Sequence, residues 1–393
     1  MTKPAELTVA IIGLGSRISG VWKNLHAAAR GRIRLVGYAD PKPTVGLKEL
    51  AAAGLDAGQA FSDHEAMLTA LKPDAVMIGS PNHLHREHIR AALAAGCRVF
   101  TEKPVTISPE DTWAVAELVA AAGPDRVQVG LVLRSSPFFR AVTAHVKDIG
   151  RIVSMEANEH LGPAHGGFLM RDWRRKRQWS GSHILEKCCH DIDLIQAICG
   201  RTARAASFGG RGIFTPDNKH LDRAIYHEGF WRGWSDNDQV FDSDADIVDH
   251  QVAILETERN VRITFHVNNH AATGSRSWLI FGVEGQVSGD FGRPALNVQR
   301  VHAAAQTVDL RKPGAGTAAH YGADEAMGED LAACWLDGAA FPVPAKAALE
   351  AGLACMAIDQ AQRTGTVVDA GPWMQKLDGI LPAQARTRTA AAG

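Results

Sequence analysis

Three groups of residues in this 393-residue chain have types and spacings suited to chemistry. The first is a strand running into a glycine turn and a helix, Val9-Ala-Ile-Ile-Gly13-Leu-Gly15-Ser16-Arg17-Ile18. Gly13 allows the tight turn, and Gly15 lets backbone approach a pyrophosphate at the helix N-terminus. Ile18 stands where the G-x-G-x-x-G pattern has its third glycine, and Gly20 follows two residues later. The next strand ends at Asp40, where a carboxylate can bind the adenine ribose hydroxyls. That carboxylate repels a 2′-phosphate, so the expected cofactor is NAD rather than NADP; Lys42 and Arg17 keep the second option open. The second group is Glu186, His190 and Asp193, spaced i, i+4, i+7 on one helix face. His190 suits a general base because imidazole titrates near neutrality, although a lone helical histidine is more often structural. The third is Arg171-Asp-Trp173-Arg174-Arg175-Lys176-Arg177-Gln-Trp179, five basic residues interleaved with two tryptophans. Arginine forks take carboxylate, sulfonate or phosphate, and indole faces stack on sugar rings. Arg171, Trp173, Arg175, Arg177 and Trp179, with Lys187 and Arg134, are therefore expected to recognise an anionic sugar. The competing expectation is a basic loop paired with acidic neighbours in 236–246 or with cofactor phosphates.

The elements that must position these groups change character along the chain. Apolar runs at Thr8–Ile12, Arg34–Ala39, Ala75–Ile78, Arg98–Phe100 and Val127–Val132 alternate with helical patterns at Gly20–Ala29, Asp63–Leu71, His85–Ala95 and Pro109–Ala122. Buried strands separated by amphipathic helices predict an α/β Rossmann domain with a parallel sheet. From Ile152 onward longer strands are expected at Ile152–Glu159, Val248–Glu256, Val261–His266, Ser277–Gly282 and Val287–Gly289, with a turn at Glu258–Asn260. Helices are expected at His183–Cys199, Asp324–Leu336 and Ala345–Arg363. This predicts an α+β domain with a large, mostly antiparallel open sheet. The expected boundaries are 1–134, 135–383 and a frayed tail at 384–393. The aromatic, acidic stretch Tyr226–Asp238 reads as a rim, a lid or a subunit contact.

Composition narrows the classes. Lys and Arg (42) balance Asp and Glu (43), so no overall field points to nucleic acid or a membrane. The apolar run at the N-terminus breaks at Gly13, too soon for a signal peptide or a membrane span, and the cytoplasm is the expected compartment. None of the six cysteines forms a C-x-x-C pair, so they read as reduced, buried thiols. Cys188, Cys189 and His190 match no common zinc spacing, and no metal is expected.

Several motifs resemble the Gfo/Idh/MocA family of sugar and cyclitol oxidoreductases: Ile78-Gly-Ser-Pro81-Asn82-His83-Leu84-His85, Thr101-Glu102-Lys103-Pro104, Arg134-Ser-Ser-Pro137, Ile149-Gly-Arg-Ile152, and Ser180-Gly181 ahead of His190-Asp-Ile-Asp193. His320-Tyr-Gly-Ala-Asp324 sits where the family often carries His-Gly-Gly-Asp. The resemblance implies a Rossmann domain followed by a large open sheet, through which members usually form dimers or tetramers. It places Ser80, Asn82, His85 and Glu102 along the cofactor with Gly13, Gly15, Ser16, Arg17, Ile18 and Asp40. It assigns Lys103 to the reacting oxygen and His190 to proton removal. Glu186 departs from the family's Asp, and Lys187 from a position often apolar. One family branch carries a similar R-x-W-x-x-x-R-x-x-S-G stretch. Three functions follow as expectations: oxidation of a ring hydroxyl of a sugar, glycoside or cyclitol; redox-neutral glycoside hydrolysis through transient oxidation at C3, sulfoquinovosides included; or sugar binding without catalysis, against which Lys103 and His190 argue.

Overall fold

In this computed structural model the described residues are 6–226, 239–293, 295–310 and 319–382. Residues 227–238 of the aromatic, acidic stretch and the tail 384–393 lie outside them. The first sheet is parallel throughout and comprises β1 (Leu7–Ile12), β2 (Ile33–Ala39), β3 (Gln59–Phe61), β4 (Ala75–Ile78), β5 (Arg98–Thr101) and β6 (Val127–Val129). Their spatial order is 3-2-1-4-5-6. The central strands are continuous apolar runs because both faces are covered: Val9–Ile12 and all of β4 are buried. The order in which strands are added reverses between β1 and β4, so the loops leaving them diverge and open a crevice at the carboxyl ends. Gly13–Gly15 leaves β1 there and Gly79–Ser80 leaves β4. The short, exposed edge strand β3 has no apolar pattern and escapes sequence reading.

The second sheet contains β7 (Ile152–His160), β8 (Thr202–Gly210), β9 (His250–Thr257), β10 (Arg262–Asn268), β11 (Ser277–Gly282), β12 (Gly285–Asp290), β13 (Ala295–Arg300), β14 (Gln306–Asp309) and β15 (Val368–Asp369). The order is 14-13-12-11-7-10-9-8-15, antiparallel except where β7 meets β10. β9 and β10 alternate buried and exposed residues, so one face packs on the core and the other stands open. Phe208 (74% exposed), Ile254 (55%) and Val252 (42%) lie on the open face. β8 is absent from the expected strands because its inward residues, Ala205 and Ser207, are small while Phe208 points outward.

Helix His183–Cys199 is buried at every residue except Ala197. Ser182 caps it by accepting the Leu185 N–H at 3.3 Å. Helix Ala323–Asp337, which the sequence groups with the second domain, packs against helix Ser16–Ala29 of the first. Gly328 permits the approach, since a Cβ there would lie 2.8 Å from the Asn24 backbone. Trp335 Nε1 donates to Gln128 Oε1 at 2.7 Å beside β6. Apolar residues of both sheets accordingly form one continuous core. No helix among the described residues is long and apolar enough to cross a membrane.

Candidate active site

One cleft of about 1260 Å³ runs from Asp40 and Lys42 beyond β2 to Arg276 and Tyr321 beside the second sheet. At its first end the chain offers backbone. Gly13 has φ +80°, and a Cβ there would run into the backbone of Gly79 and Ser80. Gly15 precedes helix Ser16–Ala29 without any side-chain cap, and nothing lies within 4 Å of where its Cβ would stand. Uncapped N–H groups facing open space are what a pyrophosphate requires. Asp40 accepts the Lys42 N–H at 2.6 Å; burial raises its pKa despite that bond and one from Leu14. These residues fit a dinucleotide.

Ser16, Arg17, Ser80, Asn82, His85 and Glu102 also line the cleft. Ser16 donates to Glu49. Ser80 Oγ lies 2.8 Å from His88 Nδ1. The ring nitrogens of His85 lie 2.8 Å from the carbonyls of Ser80 and Pro104, tying the β4 loop to the segment after Lys103. Arg17 is held by Glu102 (Nε–Oε1 2.9 Å) and Asp324, so two carboxylates offset the charge that would suit a 2′-phosphate.

The far end is built from side chains. Lys103 Nζ donates to the Glu186 carbonyl at 2.6 Å. The Glu186 carboxylate accepts from Asn82 Nδ2 (2.7 Å) and Arg174 Nε (2.9 Å). Burial alone would push its pKa up, but Lys103 and Arg174 hold it below the ordinary carboxylate range. Arg174 also stacks over Trp173 (4.3 Å) and Phe168 (4.4 Å). One turn on, His190 is 4% exposed and its Nδ1 has no hydrogen-bond partner among the described residues. Burial, then Lys103, Arg276, His320 and Lys187, hold its pKa well below the usual value. The imidazole is therefore neutral near pH 7 and able to accept a proton.

Alongside lies a lattice of buried charge. Lys187 Nζ meets Glu159 at 2.8 Å, Glu159 also meets Arg276, and Arg276 Nε reaches Asp191 at 3.0 Å. Two cations and two carboxylates thus offset one another. Across the cleft His320 Nδ1 lies 2.8 Å from Asp324 Oδ2, and its ring centroid is 6.2 Å from that of His190. Burial would raise the Asp324 carboxyl, but His320 and Arg17 hold it at about 2. His320 (φ +48°) and Tyr321 (φ +59°) adopt the left-handed conformation, which costs a non-glycine residue roughly 1–2 kcal/mol.

Family models match two segments with this geometry: residues 7–131 fit the oxidoreductase family with an NAD-binding Rossmann fold, and 140–288 fit the GFO/IDH/MocA C-terminal domain. The chain belongs to the GFO/IDH/MocA family. Inositol 2-dehydrogenase 4 of Saccharopolyspora erythraea is 29% identical over 51% of this chain and 56% of its own length. D-glucoside 3-dehydrogenase of Escherichia coli is 39% identical, but over 27% of this chain and 29% of its own. The chain spans about half the length of the first curated relatives it matches. A levoglucosan dehydrogenase in complex with NADH and levoglucosan shares the fold, with TM-score 0.76 at 18% identity over 93% of this chain and all of that one.

Within this GFO/IDH/MocA chain the structure divides the expected site residues. Ile18 is fully buried and does not line the cleft; it packs under Gly79, where a Cβ would sit 2.5 Å from its own. Arg134 is also outside the cleft, because Asp193 holds it in a two-pronged pair at 2.6 and 2.7 Å. The arginine–tryptophan segment turns at residue 174. Arg171, Trp173 and Arg174 line the cleft, whereas Arg175, Arg177 and Trp179 do not. Arg175 pairs with Asp244, and Arg177 reaches Asp359 (2.6 Å) and, through its backbone N–H, Asp246 (2.6 Å). Pairing with acidic neighbours therefore accounts for the second half of the segment. Glu159, His165, Arg276 and Tyr321 escaped sequence reading. Glu159 left a signal: it continues the inward series Met155, Ala157, Glu159 on β7, where a carboxylate requires a partner.

Proposed function

We propose that the protein is an NAD-dependent dehydrogenase acting on a ring hydroxyl of a sugar, glycoside or cyclitol. The observation that carries this is the convergence of Lys103, Glu186 and His190 on the cleft that begins at the uncapped helix of Gly15. NAD, when bound, supplies the hydride acceptor. The chain's own residues do the remaining work. Lys103 hydrogen-bonds the reacting oxygen and stabilises developing alkoxide, and neutral His190 takes the hydroxyl proton. Glu186, fixed by Asn82 and Arg174, accepts from a neighbouring hydroxyl and orients the ring. The named substrates of the inositol, D-glucoside and levoglucosan dehydrogenases support the same class.

Beyond the balanced lattice of Lys187, Arg276, Glu159 and Asp191, Lys103, Arg171 and Arg174 line this end against Asp172 and Glu186, and this small excess of cations supports a carboxylate- or sulfonate-bearing substrate. Matched neutral and anionic sugars and glycosides, mixed with NAD while NADH and released aglycone are followed together, test the proposal. Arg171→Gln should raise KM for charged substrates alone; equal effects on both would remove the anionic preference. His165 and His320 provide imidazoles beyond His190 and favour one second reading, redox-neutral glycoside cleavage, in which another base takes the proton beside a transient ketone. Aglycone release without NADH would mark that chemistry. The open face carrying Phe208, Val252 and Ile254 supports a homodimer or homotetramer, and light scattering of Ile254→Lys should then report a smaller particle.

A further inference from the structure

We propose that His320, oriented by Asp324, is a proton-relay residue that receives the proton His190 has taken from substrate and passes it to solvent. The inference rests on the dehydrogenase reading above. His190 is a confined base: it is 4% exposed, and Lys103, Lys187 and Arg276 surround it. The carboxylates near it are already engaged. Glu186 holds Arg174 and Asn82, Glu159 holds Lys187 and Arg276, Asp191 holds Arg276, and Asp193 holds Arg134. An imidazolium formed at His190 therefore lacks a counter-ion of its own and must lose its proton before the next turnover.

His320 offers the exit. Its ring lies 6.2 Å from that of His190, a gap that one water can bridge. Its Nδ1 is engaged with Asp324 at 2.8 Å, which leaves Nε2 to accept a proton and supplies a carboxylate beside the resulting cation. Its side chain is 33% exposed, so the path leads outward. Asp324 also holds Arg17, in the first turn of the helix that follows the glycine turn, and Arg17 holds Glu102, the neighbour of Lys103. The titratable and charged groups that bear on His320 are Asp324, Arg17, Lys187, His190 and His165.

The balance is simple. The substrate O–H bond breaks and its proton moves to His190, while the C–H electron pair leaves with the hydride that the nicotinamide takes. The His190 N–H proton then passes through water to His320 Nε2, and His320 returns a proton to solvent. Both imidazoles end neutral.

The test is histidine-labelled ¹⁵N NMR on the full chain with NADH, combined with kinetics. As pH falls, His320 should protonate before His190, and Asp324→Asn should shift the His320 titration to lower pH. His320→Gln should retain first-turnover NADH formation but slow steady-state oxidation at least ~10-fold in dilute buffer, with recovery on adding imidazole. Protonation of His190 ahead of His320 would overturn the relay. A loss in His320→Gln that is insensitive to buffer and confined to KM would overturn it too, because a binding role alone predicts that pattern. If no polyol yields NADH with the wild-type protein, the dehydrogenase reading fails, and the order of protonation still decides whether His320 is the acceptor.

Discussion

The two ends of the cleft are built from different materials. The dinucleotide end is backbone: two glycines, an uncapped helix start and one carboxylate, with the turn and helix start contiguous within residues 13–18. The other end is a set of charged side chains recruited from residues 103, 159, 174, 186, 187 and 276, each fixed by another, around the neutral His190. At a backbone site the fold tolerates change wherever the chain can still trace its path. A lattice of buried charge does not, because removing one member strands the rest in a medium of low dielectric.

Five substitutions sharpen that contrast. His190→Asn should lower kcat by about 10²- to 10⁴-fold while NADH binding, read by fluorescence, stays near wild type. Loss of binding in parallel would show that the two ends are one unit. Arg276→Met should cost about 3–5 kcal/mol in denaturant unfolding, since it leaves Glu159 and Asp191 short of their cation. A stability change below about 1 kcal/mol would mean the lattice is solvated. At the dinucleotide end His88, held near pKa 3 mainly by burial, stays neutral in the fold while the unfolded chain takes up its proton below pH 6.5. Folding therefore loses about 1.4 kcal/mol per pH unit from this histidine as pH falls from 6.5 toward 3. The stability gap between wild type and His88→Gln should close by about that slope, and parallel curves would refute it. Smallest is Gly15→Ala: with open space at its Cβ, the melting temperature should move by no more than a few degrees while NAD affinity drops about tenfold or more. Gly13→Ala, by contrast, should lose both, because its Cβ meets the backbone of Gly79 and Ser80.

The same contrast explains what was legible. Gly13, Gly15 and Asp40 are readable because a turn, a helix start and a strand end are local and have fixed spacing. The buried strands of the first sheet announce themselves as apolar runs. Helix His183–Cys199 was legible, and its face placed Glu186 and His190 together, but not what holds them. Arg174 and Arg175 are adjacent and chemically identical, yet one enters the cleft and the other turns to Asp244, because the short turn through 172–175 points successive side chains apart. Arg276 is 117 residues from Glu159 in sequence, and only the pairing of β11 with β7 brings the two segments side by side. No periodicity carries that information.

The helix Ala323–Asp337 that closes over the first domain has a consequence for how the protein is made. Its docking surface on helix Ser16–Ala29 is synthesised nearly three hundred residues before the helix itself. At ordinary elongation rates of about 5–20 residues per second, that surface waits uncovered for roughly 15–60 s on the ribosome. The nucleotide-binding half is the first to emerge and among the last to be finished, so a nascent chain halted before Ala323 would present bare apolar surface to whatever chaperone or neighbour it meets.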